Sequence, residues 1–123
     1  MSETIPFEMT VGDRTYEIIS ILRGQAERRG RKYVAGHIMI KRAESIGAHL
    51  GEEDGEHILK HQNEIPPSLR DKVGFVFTAW SLRSDFIHEI CCVYWDGRCW
   101  IKRWDKVYAN GCSQSCRVLR RKS

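Results

Sequence analysis

Residues 90–104 gather the side-chain types that hold single-stranded nucleic acid. Trp95, Trp100 and Trp104 offer flat rings on which bases stack, and Arg98 and Lys102, interleaved with them, offer cations for phosphate. Asp96-Gly97 between apolar, β-branched and aromatic runs is a strong hairpin signal, because a two-residue type I′ turn needs positive φ at both central positions. Pairing Trp95 with Arg98 sets Val93 opposite Trp100 and Cys91 opposite Lys102, so those tryptophans and cations share one face. Ile90, Cys92, Tyr94, Cys99 and Ile101 take the other. Tryptophan favours strands and is usually at least partly buried, so the same face also reads as core or as a subunit interface. The long cationic side chains on it argue instead for contact with an anion.

Catalytic chemistry has less to build on. A cysteine nucleophile needs a base and an orienting group converging on it, yet along a strand His88, Glu89, Cys91 and Cys92 alternate between faces, so His88 and Glu89 do not both serve Cys91. His57 and His61 stand at i and i+4 of a helical segment, without the glutamate after the first histidine that a metalloprotease uses as base. Cys112 and Cys116 are a weak zinc-ligand pair that would need Cys99 or a histidine to complete it. The sequence contains no glycine-rich phosphate loop, nucleophile elbow or kinase element. The expectation is a non-enzymatic protein with no cofactor, and a small zinc protein or enzyme using Cys112 and Cys116 is kept as an alternative.

Charge points the same way. The net charge is +4, but the cations are segregated. Arg23, Arg28, Arg29, Arg31 and Lys32 fall in one segment, Arg98, Lys102, Arg103 and Lys106 in the hairpin, and Arg117, Arg120, Arg121 and Lys122 at the C-terminus. Glu52, Glu53, Asp54 and Glu56 collect the opposite sign. The candidate binding set is therefore Trp95, Arg98, Trp100, Lys102 and Trp104, helped by Arg28, Arg29, Arg31, Arg120, Arg121 and Lys122.

These residues need a scaffold, and 123 residues with 41% hydrophobic and 29% charged content make one ordinary domain over 1–123. Residues 1–4 and 118–123 are candidates for flexible ends, although Val118 and Leu119 could equally complete a last strand. No apolar run approaches the roughly 20 residues that span a bilayer, and 1–6 lack a basic start and apolar segment, so the expected compartment is the cytoplasm with no membrane partner. Five cysteines there are read as reduced thiols.

Residues 7–22 read as a hairpin turning at Gly12-Asp13, with Val11 opposite Arg14, Met9 opposite Tyr16 and Phe7 opposite Ile18; a helix over 16–29 is the competing reading. Met39, Ala43, Ile46 and Leu50 line one face of a helix ended by Gly51. A second helix over 52–62 carries acids first and Lys60 and His61 last, complementing its dipole. Residues 45–59 resemble a helix-turn-helix in their apolar and turn positions, but the acids would meet phosphate, so a helical hairpin packed on a sheet is the better account. Residues 73–80 read as a covered strand, with Val73, Phe75 and Phe77 on one face and Val76, Thr78 and Trp80 on the other. The expected fold is α+β: a small antiparallel sheet, made of an N-terminal hairpin and a C-terminal three-stranded meander over 73–80, 89–95 and 98–104, packed on two central helices.

In its tryptophan-rich ribbon, a stretch covering about the last third, the chain is similar to small accessory proteins of phages and prophages. That resemblance implies inhibition by binding, for example of the anti-CRISPR type. The sequence thus leads to a binding protein for nucleic acid, an anionic surface or a nucleic-acid-binding protein complex. The alternative is a protein-interaction module or inhibitor, or a homodimer, built on the same aromatic face.

Overall fold

A computed structural model describes residues 5–24, 36–83, 88–106 and 116–122. Arg28, Arg29, Arg31 and Cys112 lie outside the described residues. The fold is α+β, and among the described residues two helices lie on a six-stranded mixed sheet.

β1 (Glu8–Val11) and β2 (Arg14–Ile19) form the expected hairpin in the expected register, Val11 against Arg14 and Met9 against Tyr16, and Ile18 N–H donates to Phe7 O at 2.7 Å. Met9, Val11, Tyr16 and Ile18 are buried on one side, the alternation that a half-covered antiparallel pair requires.

α1 (Gly36–Ser45) stops earlier than the apolar spacing predicts. Ala48 N–H donates to Ala43 O at 2.8 Å and Gly47 N–H to Glu44 O at 3.2 Å, a Schellman end in which Gly47 takes φ +73°. Leu50 is therefore not on this helix. It packs on the opposite side of the sheet, while Met39, Ala43 and Ile46 stay with α1. α2 (Glu52–Lys60) follows, then 3-10 turns at Gln62–Glu64 and Pro67–Leu69.

β3 (Gly74–Arg83), β4 (His88–Trp95) and β5 (Trp100–Lys106) make the predicted antiparallel meander. β6 (Cys116–Arg121) then inserts between the two hairpins, antiparallel to β2 and parallel to β3. The strand order β1-β2-β6-β3-β4-β5 corrects the expectation of a purely antiparallel sheet, and Val118 and Leu119, both buried, make 118–121 part of a central strand rather than a tail.

The two described helices cover opposite faces, so they form neither a helix-turn-helix nor the expected helical hairpin packed on one side of the sheet. Tyr16, Ile58, Phe75, Phe77, Trp80, Val93, Trp100 and Leu119 form the core under α2, and Ile21, Met39, Ala43, Val76, Ile90 and Val118 the core under α1. Trp80 departs from the predicted alternation. The β3–β4 register slips between Phe77 and Ser81, Ala79 N–H donates to Leu50 O at 2.9 Å, and this bulge returns Trp80 to the side of Phe75 and Phe77. There its ring lies over Gly55 of α2, where any Cβ would sit 2.3 Å from Trp80 Cζ3. The helix can approach the tryptophan only because that position has no side chain.

Candidate functional site

The ribbon β4–β5 closes on a longer loop than the predicted two-residue turn. Trp95 pairs with Trp100, Val93 with Lys102 and Cys91 with Trp104, and Asp96 to Cys99 form the connection. The Asp96 carboxylate explains it: Oδ1 accepts the backbone N–H groups of Arg98 at 2.8 Å and Cys99 at 2.9 Å, while Asp96 N–H donates to Cys99 O at 3.0 Å. Those same two N–H groups hold the Asp96 carboxyl below its ordinary range. The register shift is two residues, an even number, so the predicted faces survive it.

The face with the tryptophans is the core face. Trp100 is 2% exposed and stacked on Phe75, ring centroids 5.3 Å apart. Its buried Nε1–H has no partner among the described residues, a deficit of about 1–3 kcal/mol that the packing of the ring must outweigh. Trp104 lies edge-on to Trp80 at 5.8 Å, and Lys102 extends over Trp80 to reach Glu56 Oε1 at 3.1 Å. Trp100 and Lys102 thus do not form the open stacking platform that their alternation suggested. Lys102, although exposed, pairs with a carboxylate of α2.

The C-terminal cations, although partly exposed, also pair with carboxylates. Arg120 contacts Glu17 through Nε at 3.2 Å and Nη2 at 3.0 Å, and Ile46 O through Nη1 at 3.1 Å. Lys122 reaches Glu8 at 2.8 Å. Arg121 Nε donates to Asp54 Oδ1 at 2.7 Å, and the same oxygen accepts Tyr16 O–H at 2.7 Å and Arg14 Nη1 at 3.2 Å. Asp54 is one of the few buried polar residues. Burial alone would raise its pKa, but the hydrogen bonds from Arg121 and Tyr16 outweigh that and hold it below the ordinary carboxylate range. Burial, followed by the bond to Asp54, pushes the Tyr16 phenol far above its usual value. The network ties α2 to β2 and β6, which is why the acidic helix start faces the sheet.

The ribbon tip carries two further exposed cations. The Arg70 guanidinium sits 4.3 Å from the Trp95 ring centroid, and Trp95, half-buried, packs edge-on against Trp100 at 6.0 Å. Arg98 is exposed in the connecting loop. Among the described residues, neither guanidinium forms a salt bridge, although the Asp96 carboxylate stands beside Arg98 and accepts its backbone N–H. On the far face of the ribbon Arg103 stacks over Tyr94 at 4.8 Å while pairing with Asp105 at 3.1 Å. Arg70 and Tyr94 were not among the sequence candidates. Arg70 follows a Pro-Pro turn, and no local pattern brings it to Trp95.

The thiols are ill suited to nucleophilic work. Burial raises Cys91 to about 11, and burial with a hydrogen bond to Asp105 drives Cys92 higher still, so both remain protonated at neutral pH. Cys116 is half-buried against the core under α1. Among the described residues no group of three His, Cys, Asp or Glu side chains is placed to hold a metal ion. His57 donates from Nε2 to Val11 O at 2.7 Å and lies ring to ring with His61 at 4.7 Å, which fastens α2 to the first turn. Among the described residues no helix is long and apolar enough to cross a membrane. No protein-family model, curated protein or solved structure matches this chain, so the reading of the site rests on its own residues.

Proposed function

We propose that this chain is a non-enzymatic binding protein that engages nucleic acid through the tip of its C-terminal ribbon, at Arg70, Trp95 and Arg98. The observation that carries the reading is a contrast in partnering: the Arg70 guanidinium lies over the half-buried Trp95 ring, Arg98 is exposed in the adjoining loop, and among the described residues neither guanidinium is in a salt bridge, whereas Lys102, Arg120, Arg121 and Lys122, although partly exposed, each pair with a carboxylate. A guanidinium beside an indole offers phosphate contact and base stacking together, and stacking contributes on the order of 1–3 kcal/mol per base. The test is anisotropy of a labelled mixed-sequence single-stranded oligonucleotide at about 50 and 200 mM salt, a range over which phosphate-driven binding weakens steeply. Saturable, salt-sensitive binding supports the reading. A flat titration at both salts overturns it.

A second reading, a protein-interaction module or inhibitor using the same tip, is favoured by the tip's holding only two arginines, Arg70 and Arg98. Few phosphate contacts give weak nucleic-acid affinity, while Trp and Arg together make effective protein anchors. It predicts a complex that tolerates salt.

A further inference from the structure

β5 is an outer strand of the sheet, and its main chain is only partly closed. The bond from Asp96 N–H to Cys99 O makes that a hydrogen-bonded pair, so by alternation Trp100, Lys102, Trp104 and Lys106 aim their N–H and C=O groups away from β4. At Trp100 those outward groups are taken by one side chain: its N–H donates to Gln62 Oε1 at 2.8 Å and its C=O accepts from Gln62 Nε2 at 3.1 Å. The Gln62 amide occupies the place of a neighbouring strand. Beyond it the outward backbone groups of Lys102 and Trp104 have no partner among the described residues. The open edge therefore runs over 102–106, and its midpoint is Trp104.

The side chains of that stretch are self-complementary. Read in reverse about Trp104, Lys-Arg-Trp-Asp-Lys sets lysine on lysine, tryptophan on tryptophan, and arginine on aspartate at both flanking positions. Arg103 and Asp105 already share a face and pair with each other within the strand at 3.1 Å, so exchange between two chains keeps both charges satisfied. The lysine pairing is the unfavourable element, and Glu56, 3.1 Å from Lys102, offsets it.

We propose that the chain forms a two-fold dimer by antiparallel pairing of β5 with β5 of a second copy, in the register that opposes Trp104 to Trp104 and Arg103 to Asp105. The two sheets become one continuous sheet. Gln62 bounds the paired stretch on each side, and the cross-strand tryptophans stack at the two-fold axis. This contact is separate from the ribbon tip and does not depend on what the tip binds.

Sedimentation velocity of the whole chain over a wide concentration range tests it with charge swaps. The native chain shows a monomer–dimer equilibrium. Arg103→Asp and Asp105→Arg each place like charges across the axis and weaken the dimer at least about tenfold. An equimolar mixture of the two variants, and the double swap R103D/D105R alone, both recover it, because each restores opposite charges in the same register. A native chain that stays monomeric throughout overturns the proposal, as does a single swap that dimerises like the native chain. Failure of both recoveries in variants shown folded by circular dichroism does so too. If the single swaps do not fold, hydrogen exchange in the native chain decides: protection of the Lys102 and Trp104 amides that rises with protein concentration supports the dimer, and fast, concentration-independent exchange overturns it.

Discussion

The end of β6 and the tip of the ribbon carry the same kinds of side chain in opposite circumstances. Arg120, Arg121 and Lys122 are held by Glu17, Asp54 and Glu8, one from each of β2, α2 and β1. Arg70 and Arg98 meet an aromatic ring and solvent. The lesson is that a cluster of cations in a sequence says little about a binding surface until the acids that fold against it are known. The acidic start of α2 lies far from the C-terminus in sequence, yet it rests against β6 in the fold. At β6 the cations pair with carboxylates of the fold, while those at the tip are the ones the proposed function gives to nucleic acid.

If that division is correct, substitutions on the buried side change stability and those at the tip change binding. The largest effect is expected from Trp100→Ala, which empties the centre of the ribbon's inner face. Urea denaturation should show a loss of about 3–5 kcal/mol. Asp54→Ala comes next. It leaves Tyr16 O–H buried without its acceptor and removes one of the two carboxylates that Arg14 and Arg121 share, leaving them the exposed Glu53, for a loss of about 2–4 kcal/mol by the same measurement. The fully dry limit is not reached because both arginines are partly exposed.

Acid and base probe the same network from two sides. Asp54, held below its ordinary range, adds stability that is complete above about pH 4, the value of the unfolded chain, and that disappears as pH falls through the lower folded value. Tyr16 and Cys91 are raised, so their contributions are complete below their unfolded values near pH 10 and 9 and are lost as pH climbs, for Cys91 through about 11. Denaturation midpoints measured across pH should therefore fall at both extremes. A profile flat below pH 4 would mean that Asp54 is not held as an ionised partner.

How much of this was legible beforehand follows from the range of each interaction. The first hairpin and its register were readable because a two-residue turn fixes both. The faces of the ribbon were readable even though its loop was not, since a slip of two residues leaves the side-chain alternation intact. The end of α1 was marked by Gly47, but the apolar spacing of Ile46 and Leu50 pointed past it. The parallel pairing of β6 with β3, the Asp54 network and the stack of Arg70 on Trp95 each join residues distant in sequence, and no local pattern announces them. The burial of Trp100 belongs with these, because strand alternation tells which residues share a face and not which face a helix covers.

The smallest structural effect and the sharpest functional one are expected at the same place. Arg70→Ala and Arg98→Ala should each leave stability within about 0.5 kcal/mol of the native chain while lowering the salt dependence of oligonucleotide binding by about one unit of slope. The most direct measurement is oligonucleotide anisotropy, with folding checked by circular dichroism, comparing the Arg70→Ala/Arg98→Ala double variant with Lys122→Ala. Loss of binding in the double variant, with near-native affinity in Lys122→Ala, is the result predicted. Native affinity in the double variant, or its loss on replacing Lys122 alone, would contradict the assignment of the tip as the binding surface.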